Sequence, residues 1–203
     1  MRRLTVPYLA RRWLSSSGKV IYASPTEKPV RLLKIFCVSG TAVTFAAAPL
    51  LMLIDSTLPT VARIAAIGFA TFGTGSTTAF VARYFSGYVS SIQRNSETRE
   101  LVFSTSTLLL RPRLTTVYDD SFLVPSERPG AKIALAEHVH GNGAEGTEET
   151  VAQTTDDMGR VLGRWVVRWD KGGVGRCQAA GNVVRDFQFH EELLSEPITR
   201  SKA

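Results

Sequence analysis

Two runs of this chain carry no charge, and they constrain the fold more than any other feature. Ile35 to Ile54 reads IFCVSGTAVTFAAAPLLMLI, twenty residues, and Ile64 to Ala82 reads IAAIGFATFGTGSTTAFVA, nineteen. A helix of about 20 residues rises about 30 Å, the thickness of a bilayer's hydrocarbon core. Bases stand at the borders: Arg31 and Lys34 before the first run, Arg63 and Arg83 around the second. An Arg at the centre of a membrane helix costs about 2.5–3.5 kcal/mol on insertion scales, whereas at an end it reaches the headgroups. The runs are read as transmembrane helices of about residues 35–54 and 64–82, inside a hairpin covering 34–83. The alternative is a pair of buried helices in a soluble domain. The second run is the weaker one, diluted by Gly68, Gly73, Gly75 and a series of Thr and Ser. Those residues are poor choices for a soluble helix interior and common where membrane helices meet.

Charge is distributed as unevenly as hydropathy. The net charge is +6, yet the first 34 residues hold eight Lys/Arg and a single acid, Glu27, and the remainder is nearly balanced. Arg2, Arg3, Arg11, Arg12 and Lys19 alternate with Leu4, Val6, Tyr8, Leu9, Trp13 and Leu14, and Ser15, Ser16 and Ser17 follow. An Arg-rich, Ser-rich, acid-free start has the composition of a mitochondrial transit peptide, and Pro7 with Arg11-Arg12 interrupts the apolar core a secretory signal needs. Residues 1–17 are assigned to that leader, with cleavage near Leu14, and 18–33 to a short matrix segment. A basic tail that binds acidic lipid or nucleic acid is the alternative. A nucleic-acid partner is not expected, because the basic excess is absent from the folded part.

The connection Asp55 to Arg63 is nine residues and contains Pro59. So short a loop makes the helices antiparallel. Lys28, Arg31, Lys34, Arg83 and Arg94 lie at the base and only Arg63, opposite Asp55, at the tip. By the Lys/Arg asymmetry both termini face the matrix, and the location is the mitochondrial inner membrane. Pro49 either kinks the first helix or marks its last turn.

Small residues recur at every fourth position: Ala62, Ala66, Ala70, Thr74, Thr78 and Ala82 in the second run, Gly40, Thr44 and Ala48 in the first. Residues four apart share a helix face. In lipid, helix association relies on close backbone approach and on Thr hydrogen bonds, both of which small residues allow. The simpler reading is that the two stripes pack on each other. The sharper one is that a surplus face, with Gly68, Gly75 and Ala79, takes another membrane protein.

After residue 84 the pattern changes to short β-rich segments separated by turn residues. Glu100–Thr107, Thr115–Tyr118, Ser121–Val124 and Trp165–Trp169 read as strands, Lys171-Gly172-Gly173 as a hairpin turn, and Arg176–Ala180 and Val183–Phe189 as further strands. Gly141 to Asp157 is acidic, rich in Gly and Thr and without a base, which predicts a flexible insertion. Residues 191–203 read as a polar tail. The expected fold is an α+β membrane protein, a two-helix transmembrane hairpin followed by a small antiparallel β-rich matrix domain over 84–190.

Catalytic, cofactor and metal sites are not expected. Of the three histidines, His138 and His140 border the flexible stretch, where a metal would be poorly held, and His190 sits in a strand-like run. Cys37 and Cys177 lie in different phases and cannot pair. Gly172-Gly173-Val174-Gly175 lacks the strand-to-helix setting of a dinucleotide fingerprint. Asp119-Asp120 and Asp156-Asp157 are adjacent carboxylates, which point apart on an extended chain. The apolar runs hold no acid or base to relay a proton or an ion.

Three segments carry a family likeness: Gly18-Lys19-Val20-Ile21-Tyr22 before the hairpin, Gly87-Tyr88-Val89 after it, and TTVYDDSFLVP from Thr115 to Pro125. With the order of leader, two spans and β-rich tail, the chain resembles the transmembrane protein 70 family of mitochondrial inner-membrane proteins over roughly Gly18 to Glu137. The resemblance implies a hairpin with both ends in the matrix and a non-enzymatic role in ATP synthase biogenesis, through contact with the hairpin subunit of the rotor ring. Sister members serve assembly of respiratory complex I or cytochrome oxidase, so an assembly factor or accessory subunit of one of those complexes is the alternative. A small channel or transporter is a third reading; it needs polar intramembrane residues or oligomerisation, and only Thr and Ser are available. The implied partners are the bilayer, a hairpin membrane subunit of ATP synthase or another respiratory-complex subunit, and a second copy of the chain. Helix packing or a partner face is assigned to Gly40, Thr44, Ala48, Ala66, Gly68, Ala70, Thr74, Gly75, Thr78 and Ala79.

Overall fold

A computed structural model describes residues 18–53, 59–95, 98–141, 143–170 and 172–198. The leader assigned to 1–17, the loop residues 54–58 at the hairpin tip and the last five residues of the tail lie outside the described residues. Strand β1 (Gly18–Ala23) leads into helix α1 (Glu27–Leu53); α2 (Thr60–Tyr84) returns to β2 (Val89–Asn95) through a 3-10 turn at Phe85–Gly87. Then follow β3 (Leu101–Ser106), β4 (Pro112–Val117), β5 (Leu123–Pro125), β6 (Ile133–Leu135), β7 (His138–His140), β8 (Glu148–Asp156), β9 (Val161–Trp169), β10 (Val174–Gly181) and β11 (Asp186–Phe187). The architecture is α+β: a helical hairpin and an antiparallel β domain.

The helices exceed the charge-free runs. At 1.5 Å per residue, the 27 residues of α1 and 25 of α2 reach about 40 and 38 Å. The extra turns lie largely at the foot of α1, where Glu27 suits the positive end of the helix dipole. α1 continues about one turn beyond Pro49, so this proline lies inside the helix, just before its last turn. Both helices are long and apolar enough to cross a membrane, and little of either is covered by protein.

The hairpin is an insertion between two paired strands. β1 runs antiparallel to β2, with Gly18 opposite Asn95 and Ala23 opposite Ser91. The segment expected as a matrix linker, 18–33, is therefore an edge strand followed by the first turns of α1. Its partner lies some seventy residues away, which no local pattern reveals. The large sheet has the order β1-β2-β3-β4-β8-β9-β10-β7, and a small one has the order β11-β6-β5.

Strand β3 shows why the two sheets stack. Leu101, Phe103 and Thr105 are buried, while Val102, Ser104 and Ser106 are less so, the period-2 pattern of a sheet covered on one face. Phe103 stacks on Phe187 of the small sheet with ring centroids 4.2 Å apart. Around this pair lie Val89, Ile92, Leu135 and Val167. The Trp165 indole donates to the Ala136 carbonyl at 3.0 Å, which satisfies its polar end inside the core.

Two expectations are corrected here. The flexible insertion placed at 141–157 contains the nine-residue strand β8, paired with β4 on one side and β9 on the other. Its inward Thr154 is buried because its hydroxyl shares a 2.9 Å hydrogen bond with that of Thr115. A cross-strand hydroxyl pair thus does the work of an apolar pair. Before the strand, Gly141 and Gly143 lie against the Trp169 indole, where a Cβ at either position would clash. The polar tail also docks, at least to Ile198, which is buried. The Ser195 amide donates to the Ile21 carbonyl at 3.0 Å, and Glu196 pairs with Lys19 and Arg94. Arg94 further donates to the Pro197 carbonyl.

Candidate helix faces and the collar beneath them

The seam between the helices is built from hydroxyls. Thr41 on α1 and Thr78 on α2 share a hydrogen bond of 2.7 Å. The Thr78 hydroxyl also lies 3.1 Å from the Cys37 carbonyl, and Thr41 reaches the carbonyls of Cys37 at 3.0 Å and Thr74 at 3.4 Å. A Thr hydroxyl that bonds back to its own helix costs little in lipid and can still engage the neighbouring helix. Thr44, Ala47 and Ala48 on α1 and Ile67 and Thr71 on α2 are partly buried as well.

The ten residues assigned to helix packing or a partner face separate into groups. Thr44, Ala48, Thr74 and Thr78 are at the seam. Gly40 and Gly75 lie beside it, partly covered, and Ala66, Gly68, Ala70 and Ala79 are exposed. A step of four residues on a 3.6-residue helix advances about 40°. The stripe from Ala62 to Ala82 therefore winds around α2, exposed at Ala62, Ala66 and Ala70 and in the seam at Thr74 and Thr78. Gly68, Gly75 and Ala79, at spacings of seven and four, share one flank. A Cβ added at Gly40, Gly68, Gly73 or Gly75 would meet no atom within 4 Å, so the hairpin itself does not need these glycines. Thr41, at the centre of the seam, belongs to no four-residue stripe and was not among the ten; a pairing of periods 3 and 4 would have found it.

A collar of polar contacts fixes the foot of the hairpin. The Tyr88 hydroxyl shares hydrogen bonds with Ser24 and, at 2.6 Å, with Thr26, joining the chain entering α1 to the chain leaving α2. Gly87 lies so close to the Asp186 carbonyl that a Cβ would overlap it. Gln188 brackets this turn, donating to the Gly87 carbonyl at 2.8 Å and accepting from Val89 at 2.9 Å. Arg128 donates to the Arg83 carbonyl in the last turn of α2, where a cation suits the helix dipole, and pairs with Asp186 at 3.5 Å. The buried Lys34 reaches toward β3, donating to the Ser106 carbonyl at 2.8 Å and its hydroxyl at 3.0 Å. The segment Gly87–Val89 thus builds the foot with Ser24 and Thr26, whereas Gly18–Tyr22 runs along β2 toward it from the opposite rim, with Gly18 opposite Asn95.

Burial raises the Cys177 thiol above its usual range, against the weaker opposing hydrogen bond to Trp165. His138 and His140 lie on β7, the edge strand beside β10. No cluster of three His, Cys, Asp or Glu that could hold a metal occurs among the described residues.

A model of the TMEM70/TMEM186/TMEM223 protein family matches residues 17–142. No curated protein and no solved structure matches the chain. The matched stretch contains β1, the whole hairpin, the collar turn and strands β2 to β7. Together with two helices of membrane-crossing length, this makes the chain a membrane protein.

Proposed function

We propose that this chain, which belongs to the TMEM70/TMEM186/TMEM223 protein family, is a mitochondrial assembly factor that scaffolds ATP synthase biogenesis at the inner membrane. In this reading both termini and the β domain face the matrix. The observation that supports it best is the flank of α2 at Gly68, Gly75 and Ala79, which has open space where a neighbouring backbone could approach. The rotor-ring subunit is itself a glycine-rich helical hairpin, as the family resemblance implies, and before the ring closes it exposes its packing surface to lipid. A small-residue face can cover that surface and release it, because close contact without large interlocking side chains relies on many weak terms. The collar keeps the presented face in a fixed relation to the β domain, which is then free to hold a growing ring or to self-associate.

Affinity capture from solubilised mitochondria, with partners identified by mass spectrometry, tests the proposal. The rotor-ring subunit is expected with the native chain and reduced with G68L, G75L or A79L, while membrane insertion is retained. T78L addresses the seam instead and is expected to loosen the hairpin. Capture of complex I or cytochrome oxidase subunits in its place would move the role to that complex. Stoichiometric presence in a mature complex would make the chain an accessory subunit.

A further inference from the structure

The loop between β3 and β4 has the wrong chemistry for a turn in water. It reads Thr107-Leu108-Leu109-Leu110-Arg111, where hairpin connections usually hold Gly, Asn, Asp, Ser or Pro. Leu109 at its tip is 64% exposed. The loop is nonetheless well braced. The Thr107 amide donates to the Arg111 carbonyl at 3.0 Å, the Leu110 amide to the Thr107 carbonyl at 3.1 Å, and the Arg111 amide to the Thr107 hydroxyl at 3.0 Å. Leu110 has φ of 60°, a left-handed conformation that a glycine would adopt at lower cost. A rigid support therefore holds an apolar tip outward.

Its position indicates what the tip meets. β1 runs into the hairpin and β2 runs out of it, so Ala23, Val89, Ser106 and Pro112 lie on the one rim of the sheet from which the helices rise. Lys34, the last charge before the apolar run, is hydrogen-bonded to Ser106, the residue before the loop. The loop thus begins at the level where α1 enters hydrocarbon. Arg111 and Arg113 flank the leucines, and neither forms an ion pair with a carboxylate among the described residues. Leucines beside free guanidinium groups suit the boundary between acyl chains and headgroups, where apolar side chains sink and cations meet lipid phosphate.

We propose that the β3–β4 loop is a second membrane contact, with Leu108 to Leu110 in the interface of the leaflet crossed by the hairpin foot and Arg111 and Arg113 on lipid phosphates. This rests on the hairpin spanning the bilayer and not on the assembly role. A two-helix hairpin can tilt within the bilayer and carries the sheet fixed to its foot along with it; a third contact one strand further along the rim sets that tilt to the membrane plane.

The test uses the full chain carrying C37A and C177A, reconstituted in phosphatidylcholine vesicles with or without an equal amount of phosphatidylglycerol. A single cysteine is introduced as L109C, F72C or G172C and labelled with an environment-sensitive fluorophore. Quenching is read from nitroxide placed on the acyl chain near the headgroup. G172C, at the turn after β9 on the opposite rim, reports the water-facing end, and F72C reports the hairpin. The expected result is a blue-shifted, quenched probe at L109C and F72C and neither effect at G172C. The L109C signal is expected to be stronger in anionic vesicles, with R111Q and R113Q together removing that increment. An L109C probe quenched no more than G172C, beside a quenched F72C, overturns the loop contact and leaves the hairpin standing. An unquenched F72C overturns both.

Discussion

Phe69 and Phe72 on α2 are 83% and 76% exposed, whereas Phe103 and Phe187 in the β domain are 0% exposed and stacked on each other. The same side chain is treated in opposite ways within one chain. In the β domain the phenylalanines escape water by covering one another, which contributes about 1.5–3 kcal/mol for each fully buried ring. On the hairpin they have no protein to cover them, and lipid tails take the place of a core. The helices therefore do not need each other to hide apolar surface, and their seam is made of Thr hydroxyls instead of interlocking leucines. Two assembly principles operate on either side of the collar.

The largest expected effect tests this contrast directly. F103A or F187A is expected to cost the β domain about 3–5 kcal/mol, the usual loss for a core Phe, measured by thermal unfolding in nanodiscs. F69A and F72A are expected to leave that transition in place. Comparable losses at all four positions would show that the hairpin phenylalanines are buried against protein after all. The seam comes next. A double-mutant cycle on T41V and T78V is expected to give a coupling near 0.6 kcal/mol and below about 1.7 kcal/mol, read from hairpin unfolding in bicelles.

How much was legible before the fold was known follows the same division. The hairpin was legible because a missing charge over twenty residues is a local signal, and lipid imposes it directly. The strands with apolar alternation, such as Leu101 to Ser106, were legible too. β8 was not, because its inward positions include Thr154, whose burial depends on Thr115 thirty-nine residues earlier. Its other signals, Glu148, Glu149 and a run of Thr, look like solvated loop in isolation. β1 was missed for a related reason, since its pairing closes around the entire hairpin. Which of the ten small residues pair within the hairpin and which stay open is not legible from spacing, because four-residue steps do not stay on one side of a helix. The Thr41–Thr78 bond became visible only once the two helices were set in register.

Smaller effects refine the β side of the comparison. Burial works against ionisation of Asp156, but the Arg160 amide and guanidinium and the Met158 amide together hold its carboxyl below the usual range. A depressed folded value means a stabilisation that is complete above the ordinary aspartate range and lost as pH falls through the folded value. D156N is expected to lower the unfolding temperature at neutral pH, with the gap to the native chain closing in acid. A gap that persists at low pH would assign the loss to packing. The smallest effect is expected at Glu196, held below the usual carboxylate range chiefly by its hydrogen bond to Lys19 and further by Arg94. The pair is exposed and screened by salt. E196Q is expected to leave the unfolding temperature almost unchanged while increasing protease sensitivity after Ile198 docking is loosened, and high salt is expected to mimic it.

The central claim is that Lys34 to Arg83 crosses a bilayer twice, and alkaline carbonate extraction of the organelle tests it most directly. The account predicts that the chain stays in the pellet with integral proteins, both as the native form and as F103A, whose β domain is weakened. Release of the native chain into the supernatant would contradict it.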